Sequence, residues 1–465
     1  MQKLFKNCYD MDKKCYKKYN LTEDLLMEHA ASRMELYIRK HFKNQSRVLI
    51  VAGGGNNGAD GITLARLLQK DYKIKLYLPF GAKSDMAKLQ LKRAELLKVK
   101  IVKKIKKAEI IVDSLFGAGL NRELNSKAIK IIKKLNKLKA FKIACDIPSG
   151  IDELGNPNPV AFKADITITM GALKESLFND NAKDFVGKVK VANLGVSREL
   201  YEDKSSTFLL EKSDFNPPIR EQKNSHKGSF GHVAIFAGEK EGASIISATA
   251  ASRFGAGLVT LVYHEKINHP PYLMSSTTLP QNTTAIAIGM GLGEFFEEEF
   301  LSKYVINSNT PVVLDADALY KKELLEIIKQ KREVVITPHP KEFSVILELL
   351  ENRTLSVADI QKNRFNLARE FSKNYPEVTL LLKGANTIIA KNGKLYVNKF
   401  GSQVLAKGGS GDILSGLIAS LLAQNRSSLD AAITASLALS FAAKRYKGAN
   451  YSALPTDIIE NLSII

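Results

Sequence analysis

Three carboxylates stand where short apolar runs give way to small and polar residues: Asp113 in "VDSLFGAGLNRE", Asp146 in "CDIPSGID" and Asp412 in "LAKGGSGDILSGLIASLLA". A carboxylate in such a place can hold a cation or move a proton for a ligand. The turns around them suit anions. Gly53 to Gly55 in "VAGGGNNGADG" allow backbone to approach a phosphate, and a helix beginning near Ala59 would turn its free N–H groups toward it. Asn56, Asn57 and Asp60 add side-chain polarity, Gly117 and Gly119 make a second such turn, and Ser149 supplies a hydroxyl. The first half thus reads as the site of a nucleotide-type ligand with a polar reaction centre.

The second half offers a different arrangement. The N–H groups of Gly408 to Asp412 precede a long apolar helix and form an anion cradle, which puts Asp412 where a base can meet a hydroxyl near a phosphate. The same aspartate also suits a plain helix cap. Lys383 follows a strand and precedes Gly384, so its ammonium can meet phosphate oxygens. His339, between two prolines in "TPHPKEF", fits a ligand contact or a turn. Asp315 and Asp317 in "LDADAL" fit metal-linked phosphates or local turn bonds.

The elements that must position these residues alternate in type. In the first half "RVLIVA", "KIKLYL", "AEIIVDSL", "KIACDI", "DITITM" and "GKVKVANL" read as strands, separated by amphipathic stretches such as "DGITLARLLQKDY". In the second, "GHVAIFAG", "GLVTLVY", "TAIAIGMG", "PVVLDAD", "EVVITPH" and "VTLLLKG" repeat the pattern. Alternation of this kind predicts parallel sheets covered by helices on both faces, with ligands outside the carboxyl ends of the strands. The stretch from Tyr201 to Lys227 mixes charges with a Pro pair and reads as a linker, which places the division near residue 212, with domains at 1–212 and 213–465.

Composition narrows the class. A chain of 465 residues with 45% hydrophobic residues can bury the cores of two domains. Its apolar runs fall short of the roughly 18 residues a membrane span needs, and the charged N-terminus lacks the apolar core of a secretory signal. A cytoplasmic protein without membrane partners is expected. Three cysteines, Cys8, Cys15 and Cys145, support neither a disulfide framework nor a zinc site. The 68 Lys and Arg exceed the 48 Asp and Glu by 20, a balance that suits anionic ligands. No zinc-finger, helix-turn-helix, basic-zipper or aromatic RNA-binding pattern accompanies it, so nucleic acid is not the expected partner.

The set "LLMEHAAS", "VAGGGNNGADG", "VDSLFGAGLNRE" and "CDIPSGID" resembles the NAD(P)H-hydrate epimerase family, a Rossmann-like three-layer αβα fold, over residues 1 to about 212. The resemblance implies that Asn56, Asn57, Gly58, Ala59 and Asp60 bind the hydrated nucleotide, together with Gly117, Ala118, Gly119, Leu120, Asn121, Arg122 and Glu123. It implies potassium on Asn57, Asp113 and Ser149, and Asp146 as a substrate contact and the candidate acid/base, with Lys174 in the same pocket. Ala59 and His29 stand where the family usually has glycine and asparagine.

Residues 226 to 465 resemble the ribokinase-like ADP-dependent NAD(P)H-hydrate dehydratase family, since "KGSFGHVAIFAG", "SRFGAGLVTLV", "GMGLG", "LDADAL", "TPHPKEF" and "GGSGD" arrive in its order. The resemblance implies AMP-moiety contacts at Lys383, Gly384, Ala385, Asn386, Thr387 and Gly411, and hydrate contacts at Ala243, Gly291, His339 and Asp412. The segment "GEKEGAS" lacks the proline commoner there. Asp412 would deprotonate the hydrate hydroxyl for attack on a phosphoryl group. The implied co-substrate is ADP, with magnesium, the substrates are the hydrates of NADH and NADPH, and a homo-oligomer is expected. A small-molecule kinase of the same fold, or a non-catalytic nucleotide-binding first domain, are the alternatives.

Overall fold

The computed structural model describes the chain apart from residues 121, 265, 294–300 and 331–332. Asn121 therefore lies outside the described residues. Two compact units divide the chain, one of Lys3–Ser205 and one of Ser206–Ile465 with Met1–Gln2.

The sheet of the first unit runs in the order Ile101–Val102, Lys73–Tyr77, Arg47–Ala52, Ile110–Ser114, Phe141–Cys145, Ile166–Met170, Lys188–Ala192, with every neighbouring pair parallel. Side chains alternate across it as the strand period demands. Val48 and Ile50 pack with helices Glu23–His41 and Asn56–Leu68, whereas Leu49 and Val51 pack with Ala128, Ile131 and Leu135 of helix Ser126–Asn136. Both faces are therefore covered, as in parallel sheets generally. The chain builds outward from Arg47–Ala52 to one edge, then returns to Ile110–Ser114 and builds the other way. That switch point opens a crevice at the carboxyl ends of these two strands.

The second unit repeats the plan. Its sheet runs Met274–Ser276, Leu258–Val262, His232–Phe236, Ala285–Ile288, Val312–Leu314, Val334–Ile336, Val378–Leu382, Thr387–Lys391, Lys394–Asn398, Thr207–Leu209. Pairing is parallel as far as Val378–Leu382, after which Thr387–Lys391 and Lys394–Asn398 form antiparallel neighbours. The switch point falls between His232–Phe236 and Ala285–Ile288. One face is covered by helices Glu241–Arg253, Ser410–Ala423 and Ser428–Arg445. The first two approach very closely: a Cβ placed on Gly416 would lie 2.1 Å from the Ser247 carbonyl oxygen, so only glycine fits there.

Three local expectations change. The helix after the glycine turn begins at Asn56 rather than near Ala59, because Ala59 N–H already bonds the Gly55 carbonyl at 3.1 Å. Gly53 has a packing reason to be glycine beyond the expected approach to a phosphate, since its Cβ would stand 1.9 Å from the Leu115 carbonyl oxygen. The stretch read as a linker contains strand Thr207–Leu209, which pairs parallel with Leu395–Val397, and the short 3-10 turn Lys212–Asp214. Elements that short carry no readable period.

No described helix is long and apolar enough to cross a membrane. All three cysteines are free and buried.

Candidate functional sites

In the first unit the strand ends deliver Asp113, Asp146 and the Asn56–Asn57 turn to one crevice. Asp113 is fully buried; its Oδ1 accepts from Ser149 Oγ at 2.7 Å and Leu115 N at 3.2 Å, and its Oδ2 from Ser149 N at 2.8 Å. Burial among neutral donors pushes this carboxyl up to about 6, with the Ser149 and Leu115 bonds opposing. Ser149 Oγ also accepts from Phe116 N at 2.9 Å, which ties the turn after Asp113 to the turn after Asp146. Asn57 stands beside Gly117, and neither amide atom of its buried side chain has a hydrogen-bond partner among the described residues. An unsatisfied buried amide is costly without a ligand, about 1–3 kcal/mol.

Asp146 sits at φ +66°, an unusual conformation that short acidic side chains tolerate and that functional sites favour. Its Oδ1 accepts from Lys174 Nζ at 2.7 Å, Met170 N at 3.1 Å and Thr169 Oγ1 at 3.2 Å, and its Oδ2 from Ala118 N at 3.2 Å. Burial alone would raise this carboxyl, but the Lys174 ammonium and the backbone donors hold it below the usual range. Asp60 behaves oppositely: burial, reinforced by Asp146 and Asp12, pushes it well above the usual range. The surroundings therefore push the two carboxyls of this site in opposite directions.

The other residues expected here are placed unequally. Asn56 is exposed and donates to Glu23 Oε1 at 2.5 Å. Gly58 and Ala59 are buried, and the Ala59 and Leu120 side chains belong to the hydrophobic core, so only their backbone could face a ligand. Gly117 and Ala118 line the Asp146 side and Gly119 faces the Tyr9 hydroxyl, whereas Arg122 and Glu123 are exposed. His29 packs against Gly195 instead of entering the crevice. Thr169 had no sequence signal, since a threonine in "DITITM" reads only as strand.

In the second unit Asp412 lies in the first turn of helix Ser410–Ala423, whose N-cap Gly409 takes φ +93°. Burial, with the charges of Asp315 and Asp317 added and Lys383 opposing, pushes its carboxyl up to about 6. Nearby Asp315, fully buried, accepts from Lys383 Nζ at 2.8 Å and Ser415 Oγ at 2.7 Å. Lys383 also lies 3.5 Å from Glu342 Oε2. A Cβ on Gly411 would stand 3.6 Å from Lys383 Nζ and 3.7 Å from Asp315 Oδ2, so the cradle and the ion pair adjoin. Asp317 instead accepts from Gly293 N, 24 residues away, at 2.9 Å, tying its turn to the one after the switch-point strand Ala285–Ile288.

His339 caps helix Pro340–Glu351. Its Nδ1 accepts from Lys341 N and Glu342 N at 3.1 and 3.2 Å, which leaves Nε2 to carry the proton, 3.3 Å from Glu342 Oε1. Ala243 and Gly291 meet at the switch point: Lys240 N bonds the Gly291 carbonyl at 2.9 Å, and a Cβ on Gly291 would lie 3.1 Å from that of Ala243. The turn of Lys383, Gly384, Ala385, Asn386 and Thr387 is held from beneath by Arg364, which is fully buried. Its guanidinium donates to the carbonyls of Leu382, Lys383 and Asn386 at 3.2, 3.2 and 3.3 Å. Lys383 N bonds the Pro338 carbonyl at 2.8 Å, joining that turn to the His339 turn. Arg364 lies far from its partners in sequence, and nothing in "KNRFNLARE" announced it.

Two α/β units, each with carboxylates and a glycine turn at a switch point, define an enzyme that handles nucleotides in both halves. Residues 233–463 match the NAD(P)H-hydrate dehydratase family and residues 23–176 the YjeF-related protein N-terminus family. The chain is 41% identical to the bifunctional NAD(P)H-hydrate repair enzyme Nnr of Helicobacter pylori over 99% of both chains, and 34% identical to that of Escherichia coli over 88% of this chain and 82% of the relative. The solved ADP/ATP-dependent NAD(P)H-hydrate dehydratase of Bacillus subtilis, co-crystallised with ATP and Mg2+, is 27% identical with a TM-score of 0.46, covering 52% of this chain and 91% of that one. The chain belongs to the bifunctional NAD(P)H-hydrate repair enzyme family, with an epimerase half and a dehydratase half.

Proposed function

We propose that the first unit interconverts the R and S hydrates of NADH and NADPH through Asp146, and that the second dehydrates the S form through Asp412 at the expense of ADP, yielding AMP and phosphate. The observation that carries this reading is one carboxylate in each unit beside a glycine turn: Asp146, held below the usual carboxylate range, beside the Ala118 turn, and Asp412, raised to about 6, beside the Lys383–Asp315 pair.

In the second unit Asp412 takes the proton of the hydrate hydroxyl, whose oxygen attacks the β-phosphorus of ADP while AMP leaves. Phosphate then departs with its ring C–O bond as a proton leaves the adjacent carbon, re-forming the double bond. The helix N-terminus at Gly409–Asp412 and the Lys383 ammonium suit the transferred charge, so catalysis is mainly positioning and neutralisation. Ala243, Gly291 and His339 take the hydrate, and Lys383, Gly384, Ala385, Asn386, Thr387 and Gly411 the AMP moiety. Magnesium would accompany the nucleotide phosphates and offset their charge.

In the first unit Asn56, Asn57, Gly58, Ala59, Asp60 and the 117–123 turn take the hydrate, and Asp146 assists the hydroxyl that leaves and returns. Potassium fits Asn57, Asp113 and Ser149. The orphaned Asn57 amide offers an oxygen, and the buried Asp113 carboxyl has no cationic partner among the described residues. A cation there would supply charge to orient the hydrate. Three buried free thiols agree with a cytoplasmic location.

The test is recovery of reduced-nicotinamide absorbance from mixed NADH hydrates with potassium, magnesium and either ADP or no nucleotide. Full recovery from both epimers only with ADP, with AMP and phosphate as products, is the expected result. A stable phosphorylated hydrate, or no recovery, would overturn the dehydratase assignment.

A further inference from the structure

We infer that Lys174 is a positioning residue for epimerisation: it locks one carboxylate oxygen of Asp146, leaving Oδ2 as the oxygen that serves the hydrate. The inference deepens the role proposed for Asp146 and rests on it.

Lys174 cannot touch substrate itself. Its side chain is 2% exposed, and Nζ is surrounded by Asp146 Oδ1 at 2.7 Å, Thr169 Oγ1 at 2.9 Å, the Met170 carbonyl at 3.0 Å and the Ala172 carbonyl at 3.4 Å. Three ammonium protons facing four acceptors leave none for a ligand. Oδ1 is equally committed, because Lys174, Thr169 and the Met170 amide all donate to it. Among the described residues Oδ2 has a single partner, Ala118 N at 3.2 Å, and it faces Gly117, where a Cβ would stand 3.2 Å away. The two oxygens of one carboxylate therefore differ: one is anchored in the core and the other borders the glycine turn of the site.

The anchor is itself braced. Gly171, between the strand that carries Thr169 and the residue pair Leu173–Lys174, takes φ +73° against the Tyr201 ring, and Tyr201 Oη donates to Asp12 Oδ1 at 2.7 Å. Leu4 and Phe5 pair parallel with Leu173 and Lys174, fixing the lysine backbone. A compact ammonium suits this four-acceptor pocket, whereas the planar guanidinium fork of arginine does not. Lys174 keeps all its protons through the reaction and acts only through the carboxylate it orients.

The test uses the full chain. Epimerisation of the separated R hydrate is followed by chromatography for Lys174→Met, Lys174→Arg, Thr169→Val and Asp146→Asn, with the thermal unfolding of each sample, in which the first unit must still melt cooperatively, as the folding control. Misplacing a catalytic group can cost about 100-fold in rate. Lys174→Met is expected to lose about that much kcat with KM nearly unchanged, and not to be replaced by Lys174→Arg. Thr169→Val is expected to lose kcat in the same sense but less. An unchanged kcat in Lys174→Met, a rise in KM alone, or full activity in Lys174→Arg would each overturn the inference. If Lys174→Met fails to fold, an unchanged kcat in Thr169→Val overturns it instead. Asp146→Asn separates the two claims: if it epimerises normally, the role of Asp146 falls; if it is inactive while Lys174→Met is active, only the positioning role falls.

Discussion

Asp315 and Lys383, 68 residues apart, form an ion pair of 2.8 Å directly beneath the glycine turn that carries Asp412. Burial would raise the aspartate and lower the lysine, and each is reversed by the other, so Asp315 stays below and Lys383 above its ordinary range. The pair fixes a positive charge beside the cradle while its negative member raises Asp412. Asp315→Ala should leave the ammonium without its main partner; removing one member of a buried pair costs about 3–5 kcal/mol. The 22% exposure of the Lys383 side chain puts the expected loss at the lower end, read as a fall in the denaturation midpoint together with lost dehydratase activity.

Asp412 gives a prediction with opposite signs for activity and stability. A carboxyl raised to about 6 in the folded chain is destabilising once ionised: its favourable contribution is present below the unfolded value near 4 and is lost as pH rises through about 6. Asp412→Asn should therefore melt higher than the parent at neutral pH, with the difference vanishing toward about pH 4, while dehydration is abolished. The parent enzyme should lose dehydratase rate as pH falls through about 6. Thermal melts and initial rates across pH check both.

Asp113 links the first site to potassium. Its raised carboxyl, at about 6, likewise weakens the fold once ionised, and a cation held by Asn57, Asp113 and Ser149 would offset that charge. Potassium should raise the melting temperature more above about pH 6 than below it, and tetramethylammonium at the same ionic strength should not. Asn57→Ala should abolish the difference.

Arg364 supports a turn it does not share a motif with. Arg364→Met would strand the carbonyls of Leu382, Lys383 and Asn386, each unsatisfied group costing about 1–3 kcal/mol. The expected outcome is a less stable chain with a raised KM for ADP and a hydrate KM changed less, measured by steady-state kinetics and denaturant titration.

The parts of the sites that were legible share a local cause. Asp113, Asp146 and Asp412 could be found because each closes a strand or opens a helix within a few residues of glycines. The sheets were legible for the same reason, since buried parallel strands are continuous apolar runs. What escaped depends on tertiary neighbours. The packing role of Gly53 is set by the Leu115 carbonyl, that of Thr169 by Asp146, that of Arg364 by three distant carbonyls, and strand Thr207–Leu209 by an edge some 190 residues later at Leu395–Val397. The cap made by His339 was readable only as one of two meanings until its Nδ1 met the backbone of Lys341 and Glu342.

The contact of Gly416 with Ser247 works as a gauge. Helices Ser410–Ala423 and Glu241–Arg253 each present one proposed hydrate contact at the N-terminal end, Asp412 and Ala243, and their spacing is set where the two backbones touch. Any side chain at 416 would wedge the helices apart and widen the gap between those two residues. A random mutagenesis screen for lost dehydration should therefore recover changes at Gly416, a position that meets no ligand, alongside those at Asp412.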